Sequence, residues 1–278
     1  MGLTLYNGYG VKKEYAIPEN AIKKSPWEFY CHRGYTVSGV PLNTIPSIYA
    51  VRENGYEWTE IDVRTTSDGV LILCHDATIT GTDSAGTSQT LTIAATTLAD
   101  IQALTLATHA TYGTITAPTL DAVLDMAAFI GLNLVLDLKA ADCAAVARAV
   151  LAHSMQGRVT YNTQDNTANA AAVLAIDKLA RFNFDYPSGG DCSAIMAAVG
   201  GDTSKINLAI SAASETLAEL AEGAKAAGGN LYIWNVTPAL YPACADCNPA
   251  IMEFQSGREA QAAMATAISD YVSAKAWW

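Results

Sequence analysis

Short apolar runs bounded by turn residues alternate along this chain with stretches of helical pattern, and that alternation restricts the fold more than any other feature. Strand-type runs fall near residues 29, 60, 72, 135, 160, 183, 233 and 253. Between them Thr44 is placed to cap a helix over Ile45 to Asn54, and Pro118-Thr119-Leu120 opens a helix over Leu120 to Ile130 that Gly131 closes. Further helical patterns follow at 141–154, 168–177, 193–199 and 216–227. Eight strands that mostly alternate with helices in 278 residues predict a TIM (β/α)8 barrel. Ile206 to Ile210 is left as a surplus strand candidate. A doubly wound sheet is the competing architecture, but no glycine-rich phosphate loop follows the first strand. Residues 1–27 read as an extended N-terminal arm with at most one short strand, and 28–278 as the barrel. A short insertion over 77–117 is expected after strand 3, and an amphipathic helix over 260–275 is expected to close the chain.

The chemistry concentrates near one end of such a barrel, where the carboxyl ends of the strands converge. In Trp58 to Arg64 the period of 2 places Glu60 and Asp62 on one face. Two carboxylates side by side raise each other's pKa unless a cation compensates, and a hard divalent ion bound through oxygen would do so. Asp137 and Lys139 share a face in the same way. His32 ends strand 1, His75 ends strand 3, Trp234 lies on strand 7 and Glu253 on strand 8. Singly, a strand-end histidine is an ordinary structural residue and an Asp near a Lys an ordinary surface pair. Together, three acids on inward positions flanked by two histidines and two cations would be costly to bury without a ligand.

Charge limits the partners. The 27 acidic against 16 basic side chains leave a net charge of −11, and no Lys/Arg block occurs. This argues against a nucleic-acid backbone or an anionic membrane surface as the main partner. No apolar run is long enough to span a membrane. Residues 1–27 lack the ordered regions of a signal peptide, which leaves a cytoplasmic protein, or an exported, extracellular domain whose export leaves no such mark. The spacing Cys244-x-x-Cys247 reads as a loop cysteine pair, bridged or free, because no second Cys/His pair at zinc-site spacing accompanies it.

His32-Arg33-Gly34, Glu60-x-Asp62, His75-Asp76, Pro118-Thr119-Leu120, Asp137-x-Lys139 and Trp234-Asn235-Val236 follow one another in an order and spacing that resembles the glycerophosphodiester phosphodiesterase family over roughly residues 28–258. The resemblance implies a TIM barrel with an insertion and metal-dependent hydrolysis of a phosphodiester, either a small glycerophosphodiester or a glycerophosphate-containing polymer. It further implies Glu60, Asp62 and Asp137 as ligands of one Ca²⁺ or Mg²⁺, His32 and His75 as the general acid/base pair, and Arg33, Lys139 and Trp234 as substrate contacts. Phospholipase D-like action on a lysophospholipid or sphingolipid, or a barrel that binds without turnover, are the alternatives. Two departures stand out. Pro41-Leu42-Asn43-Thr44 replaces the family's usual Pro-Glu-Asn-Thr, removing a carboxylate near the arginine. The third acid is Asp137 where many members carry Glu, and in having Asp there the chain looks more like the related sphingomyelinase D group.

Overall fold

The computed structural model describes residues 3–6, 12–15, 28–163, 166–187, 189–254 and 267. Eight parallel strands close on themselves: β1 (Glu28–His32), β2 (Trp58–Thr65), β3 (Asn133–Ala140), β4 (Val159–Asn162), β5 (Arg181–Asp185), β6 (Ile206–Ser211), β7 (Asn230–Val236) and β8 (Ile251–Phe254). Each pairs with the next, and β8 returns to β1. The helices are α1 (Ile45–Glu53), α2 (Leu98–Gln102), α3 (Leu120–Ile130), α4 (Cys143–Ala152), α5 (Thr167–Ile176), α6 (Ser193–Ala198), α7 (Leu217–Ala226) and α8 (Tyr241–Asp246). This is the TIM barrel the alternation predicts.

The membership of the barrel differs from expectation at one strand. Residues Leu71–Leu73 pair antiparallel with the end of β2, with Val63 opposite Leu73. β3 covers one edge of β2 from Trp58 to Arg64. On the other edge β1 pairs only with 58–60. The 71–73 run therefore fills the stretch of that edge that β1 leaves bare, and it is a hairpin arm rather than a stave. The surplus candidate at 206–211 is the sixth stave. His75 accordingly does not end a barrel strand, and Asp137 with Lys139 lies on the third stave rather than the fourth.

Period 2 decides which side chains face inward. Phe29, Ile61, Leu136, Leu208 and Ile233 point out into the large core beneath the helices. Tyr30, Trp58, Val135, Ala209, Tyr232 and Ile251 fill the barrel interior as a separate cluster. The helices start where their caps dictate. Thr119 accepts a bond from the Ala122 amide, Asp142 from Ala145 and Asn166 from Asn169.

Residues 77–117 form two small hairpins, Thr78–Thr82 with Ser88–Thr92 and Ala107–His109 with Gly113–Ile115, around α2. They carry their own small core, in which Ile79, Ile93 and Ile101 pack with Ile72 and Ala117. At the N-terminus two strands, Leu3–Tyr6 and Lys12–Tyr15, pair antiparallel where at most one was expected. The closing helix expected over 260–275 lies outside the described residues except for Ala267, which is helical. Cys244 lies on the short helix α8 and Cys247 just past its end, instead of in a loop, and both are free and buried. Among the described residues no helix is long and apolar enough to cross a membrane.

Candidate active site

Parallel register brings the acids together. Asp137 on β3 lies directly across from Asp62 on β2, and His32 at the end of β1 across from Glu60. Glu60, Asp62 and Asp137 are all buried, and each offers a carboxylate oxygen that lies within 4.8 Å of the others. One oxygen of each, Glu60 Oε1, Asp62 Oδ1 and Asp137 Oδ1, has no hydrogen-bond partner. Buried carboxylate oxygens are ordinarily hydrogen-bonded, so three neighbouring buried carboxylates that each keep one oxygen without a hydrogen bond fit a hard cation bound through oxygen. Burial, with Asp62 beside it, pushes the Glu60 carboxyl well above the usual range. Burial also raises Asp137, against the pull of Lys139.

The two cations sit on the acids. Lys139 Nζ is 2.8 Å from Asp137 Oδ2 and 3.5 Å from Asp62 Oδ1. Burial draws its pKa down, but the carboxylates outweigh that and leave it above its ordinary value. Arg33 Nε lies 3.2 Å from Asp62 Oδ2, while its backbone N–H donates to Glu60 Oε2 at 3.1 Å. The turn that allows this needs special backbone. Arg33 has φ 60°, and Gly34 has φ 95° with Ser47 so near that a Cβ would lie 2.7 Å from its hydroxyl. Leu42 contributes no carboxylate here, and Asp62 is what holds the Arg33 guanidinium. Asn43 grips the same aspartate from both sides, donating to Asp62 Oδ2 at 2.7 Å and accepting from the Asp62 amide at 3.1 Å.

His32 Nε2 lies 3.8 Å from Glu60 and 3.9 Å from Glu253, a buried acid on β8 that also accepts a bond from the Tyr232 hydroxyl. Burial, reinforced by Arg33, pushes His32 down to about 4, so near neutral pH it is an uncharged base. Burial pushes Glu253 up to about 7. His75 is more open. It stands past the hairpin arm with its Nδ1 2.7 Å from Asp76 Oδ1, and His75 in turn holds the Asp76 carboxyl below its usual value. Trp234 stands at the carboxyl end of β7, where it is 40% exposed, large for a tryptophan.

The residues singled out in the sequence thus lie at one end of the barrel, with His75 just past the hairpin arm beside it. Three neighbours escaped that reading. Asn43 supports Asp62, Tyr232 holds Glu253, and Arg64 donates to the carbonyl of His75. Strand parity could have found two of them, since Arg64 is two residues from Asp62 and Tyr232 two from Trp234, each sharing its neighbour's face.

A barrel whose mouth gathers buried acids with unsatisfied oxygens, two histidines and two cations has the make-up of a metal-assisted hydrolase of anionic esters. Comparison with known proteins makes the class specific. The model of the glycerophosphoryl diester phosphodiesterase family matches residues 32–188, and the chain belongs to that family, whose members are enzymes that hydrolyse glycerophosphodiesters. A glycerophosphodiester phosphodiesterase structure from Agrobacterium tumefaciens superposes with TM-score 0.68 at 20% identity, over 86% of this chain and 99% of that one. An Oleispira antarctica phosphodiesterase, solved with the product sn-glycerol-3-phosphate, superposes with TM-score 0.66 at 18% identity, over 88% and 96% of the two chains. At these identities the likeness is one of fold. A curated Mycobacterium tuberculosis protein named "Probable glycerophosphodiester phosphodiesterase 2" is 38% identical over 45 residues, and the match spans 16% of this chain and 17% of that protein.

Proposed function

We propose that the chain hydrolyses a glycerophosphodiester, a small diester or a glycerophosphate polymer, to a glycerol phosphate and the free alcohol. The observation that carries this reading is the grouping of three buried carboxylates beside His32, each with one oxygen that no hydrogen bond satisfies, in a chain of this family. Glu60, Asp62 and Asp137 would hold one Ca²⁺ or Mg²⁺. When bound, such an ion offsets the negative charge that builds on the phosphoryl oxygens.

The chain's own groups supply the rest. His32, uncharged and buried, takes the proton from the attacking hydroxyl, which comes from water or from the substrate's neighbouring glycerol carbon. As the new P–O bond forms, the bond to the alcohol breaks, and the leaving oxygen takes a proton from His75. Asp76 Oδ1 lies 2.7 Å from His75 Nδ1 and orients the ring for this transfer. If the attacking hydroxyl is the substrate's own, the cyclic phosphate that results is opened by water in a second passage with the two histidines exchanging roles. Arg33 and Lys139, paired with the acids, would meet the non-bridging oxygens, and Trp234, exposed at the rim, would meet the rest of the substrate.

The test is a panel of small glycerophosphodiesters, a glycerophosphate polymer and lysophospholipids, each with Ca²⁺, Mg²⁺ or chelator. Alcohol release from a glycerophosphodiester should depend on the ion and fall about 10²- to 10⁴-fold in His32→Ala. Absence of turnover with either ion, or an unimpaired His32→Ala variant, would overturn the reading. Turnover of lysophospholipids alone would assign the barrel to lipids instead.

A further inference from the structure

His75 is oddly placed for a residue that transfers protons. His32 ends a stave whose backbone is bonded on both sides, but His75 lies in a bend beyond the hairpin arm. The arm's pairing with β2 ends at Leu73, and the Cys74 amide makes a last bond to the Asp62 carbonyl at 3.1 Å. The imidazole is 39% exposed and its partner Asp76 is 76% exposed, so packing does little to fix the ring. One side chain reaches this peptide from the barrel. Arg64 on β2 donates to the His75 carbonyl oxygen from two nitrogens, Nε at 3.0 Å and Nη2 at 2.6 Å.

We propose that Arg64 is the positioning residue for His75; this rests on the proton-donor role given to His75 above. Two donors of a planar guanidinium converging on one oxygen set the distance and the tilt of the peptide that follows His75. Arg64 stands two residues beyond Asp62 on the same face of the same stave. A ligand of the acidic trio and the anchor of the histidine therefore come from one rigid strand, and their separation is set by strand geometry rather than by the loop. A proton donor displaced by about 1 Å loses on the order of 10²-fold in rate, so the anchor governs turnover without touching substrate.

The experiment compares wild type, Arg64→Met, Arg64→Lys, His75→Ala and the double variant Arg64→Met/His75→Ala. Each is assayed on an alkyl glycerophosphodiester and on a nitrophenyl phosphodiester, whose leaving group needs no proton. On the alkyl substrate Arg64→Met should lower kcat about 10- to 100-fold with KM within about threefold. Arg64→Lys, which keeps the charge but only a single point of attachment, should fall between. Adding Arg64→Met to His75→Ala should cost less than about twofold. On the nitrophenyl substrate Arg64→Met should approach wild type.

A KM effect at constant kcat would make Arg64 a phosphate contact and overturn the assignment. So would a full further loss on the His75→Ala background, or an equal loss on both substrates, which would mark a structural role. Should Arg64→Met fail to fold, Arg64→Lys carries the same comparison, and equal losses on both substrates would again overturn it. If wild type is inactive, or His75→Ala is unimpaired, the proposed function falls and this assignment with it. If His75→Ala is crippled while Arg64→Met is not, the assignment falls alone.

Discussion

At the scale of the residue, the site is governed by how Asp62 is held. Its carboxylate and its own amide are both buried, and Asn43 bonds one carboxylate oxygen and the amide at once. Asn43 also occupies left-handed backbone, with φ 57°, which asparagine tolerates better than most residues. Asn43→Ala should therefore destabilise the fold by at least about 2 kcal/mol, from an unpartnered buried amide plus backbone strain. Chemical denaturation would show it as a lower midpoint with unchanged slope. The acids themselves were legible in the sequence, because strand parity alone puts Glu60 with Asp62 and Asp137 with Lys139. Asn43 as the clamp on Asp62 was not, because the two are 19 residues apart and the pairing exists only once β1 and β2 lie side by side. The resemblance to the family likewise gave Arg33 a role but not its holder, which is Asp62 in place of the missing carboxylate at Leu42.

At the scale of the element, the helices were legible from their caps, and α3 begins and ends where Thr119 and Gly131 say it should. The staves were harder. Leu71–Leu73 has the composition of a buried strand, and nothing local says that it pairs antiparallel. Ile206–Ser211 looked weaker than it is because its inward positions carry Asn207 and Ser211. Asn207 is satisfied inside the barrel by donating to Asn183, at 2.8 Å, and accepting from Asn230, at 3.2 Å. One contact between elements yields a pH prediction. His153 at the end of α4 lies between two carboxylates of α3, with Nδ1 2.7 Å from Asp125 and Nε2 3.0 Å from Asp121. Burial alone would lower its pKa, but the carboxylates outweigh it and raise it. A raised folded-state pKa stabilises most below the unfolded value, about 6.5, and the contribution is lost as pH rises through the folded value. Both acids are exposed, so the effect is screened and amounts to about 1 kcal/mol or less. Melting curves of wild type and His153→Gln should differ most near pH 6 and converge on the alkaline side.

At the scale of the whole molecule, the barrel spends stability on its mouth. Glu60, Asp62, Asp137 and Glu253 are buried together, and among the described residues Lys139 and Arg33 are the cations paired with them. A cation held by the first three should raise the melting temperature of the entire barrel, since they come from neighbouring staves of one closed sheet. At 100 times its dissociation constant the gain is about 2.7 kcal/mol. Calorimetry with Ca²⁺ or Mg²⁺ against chelator measures it, and Asp62→Asn should abolish most of the gain. The closure of the sheet has one more consequence. His32 stands on a stave whose amides can exchange with solvent only when the ring of strands opens. The arm carrying His75 belongs to no ring: it is held by its pairing with the end of β2, by the bond from the Leu73 amide to the Pro118 carbonyl, and by the burial of Ile72 and Leu73. In hydrogen exchange, the amides of Cys31 and Ile61 should outlast that of Cys74, which makes the last bond between the arm and β2. Of the two histidines, one shares the durability of the closed sheet, and the other depends on the few contacts of its arm and on the Arg64 anchor.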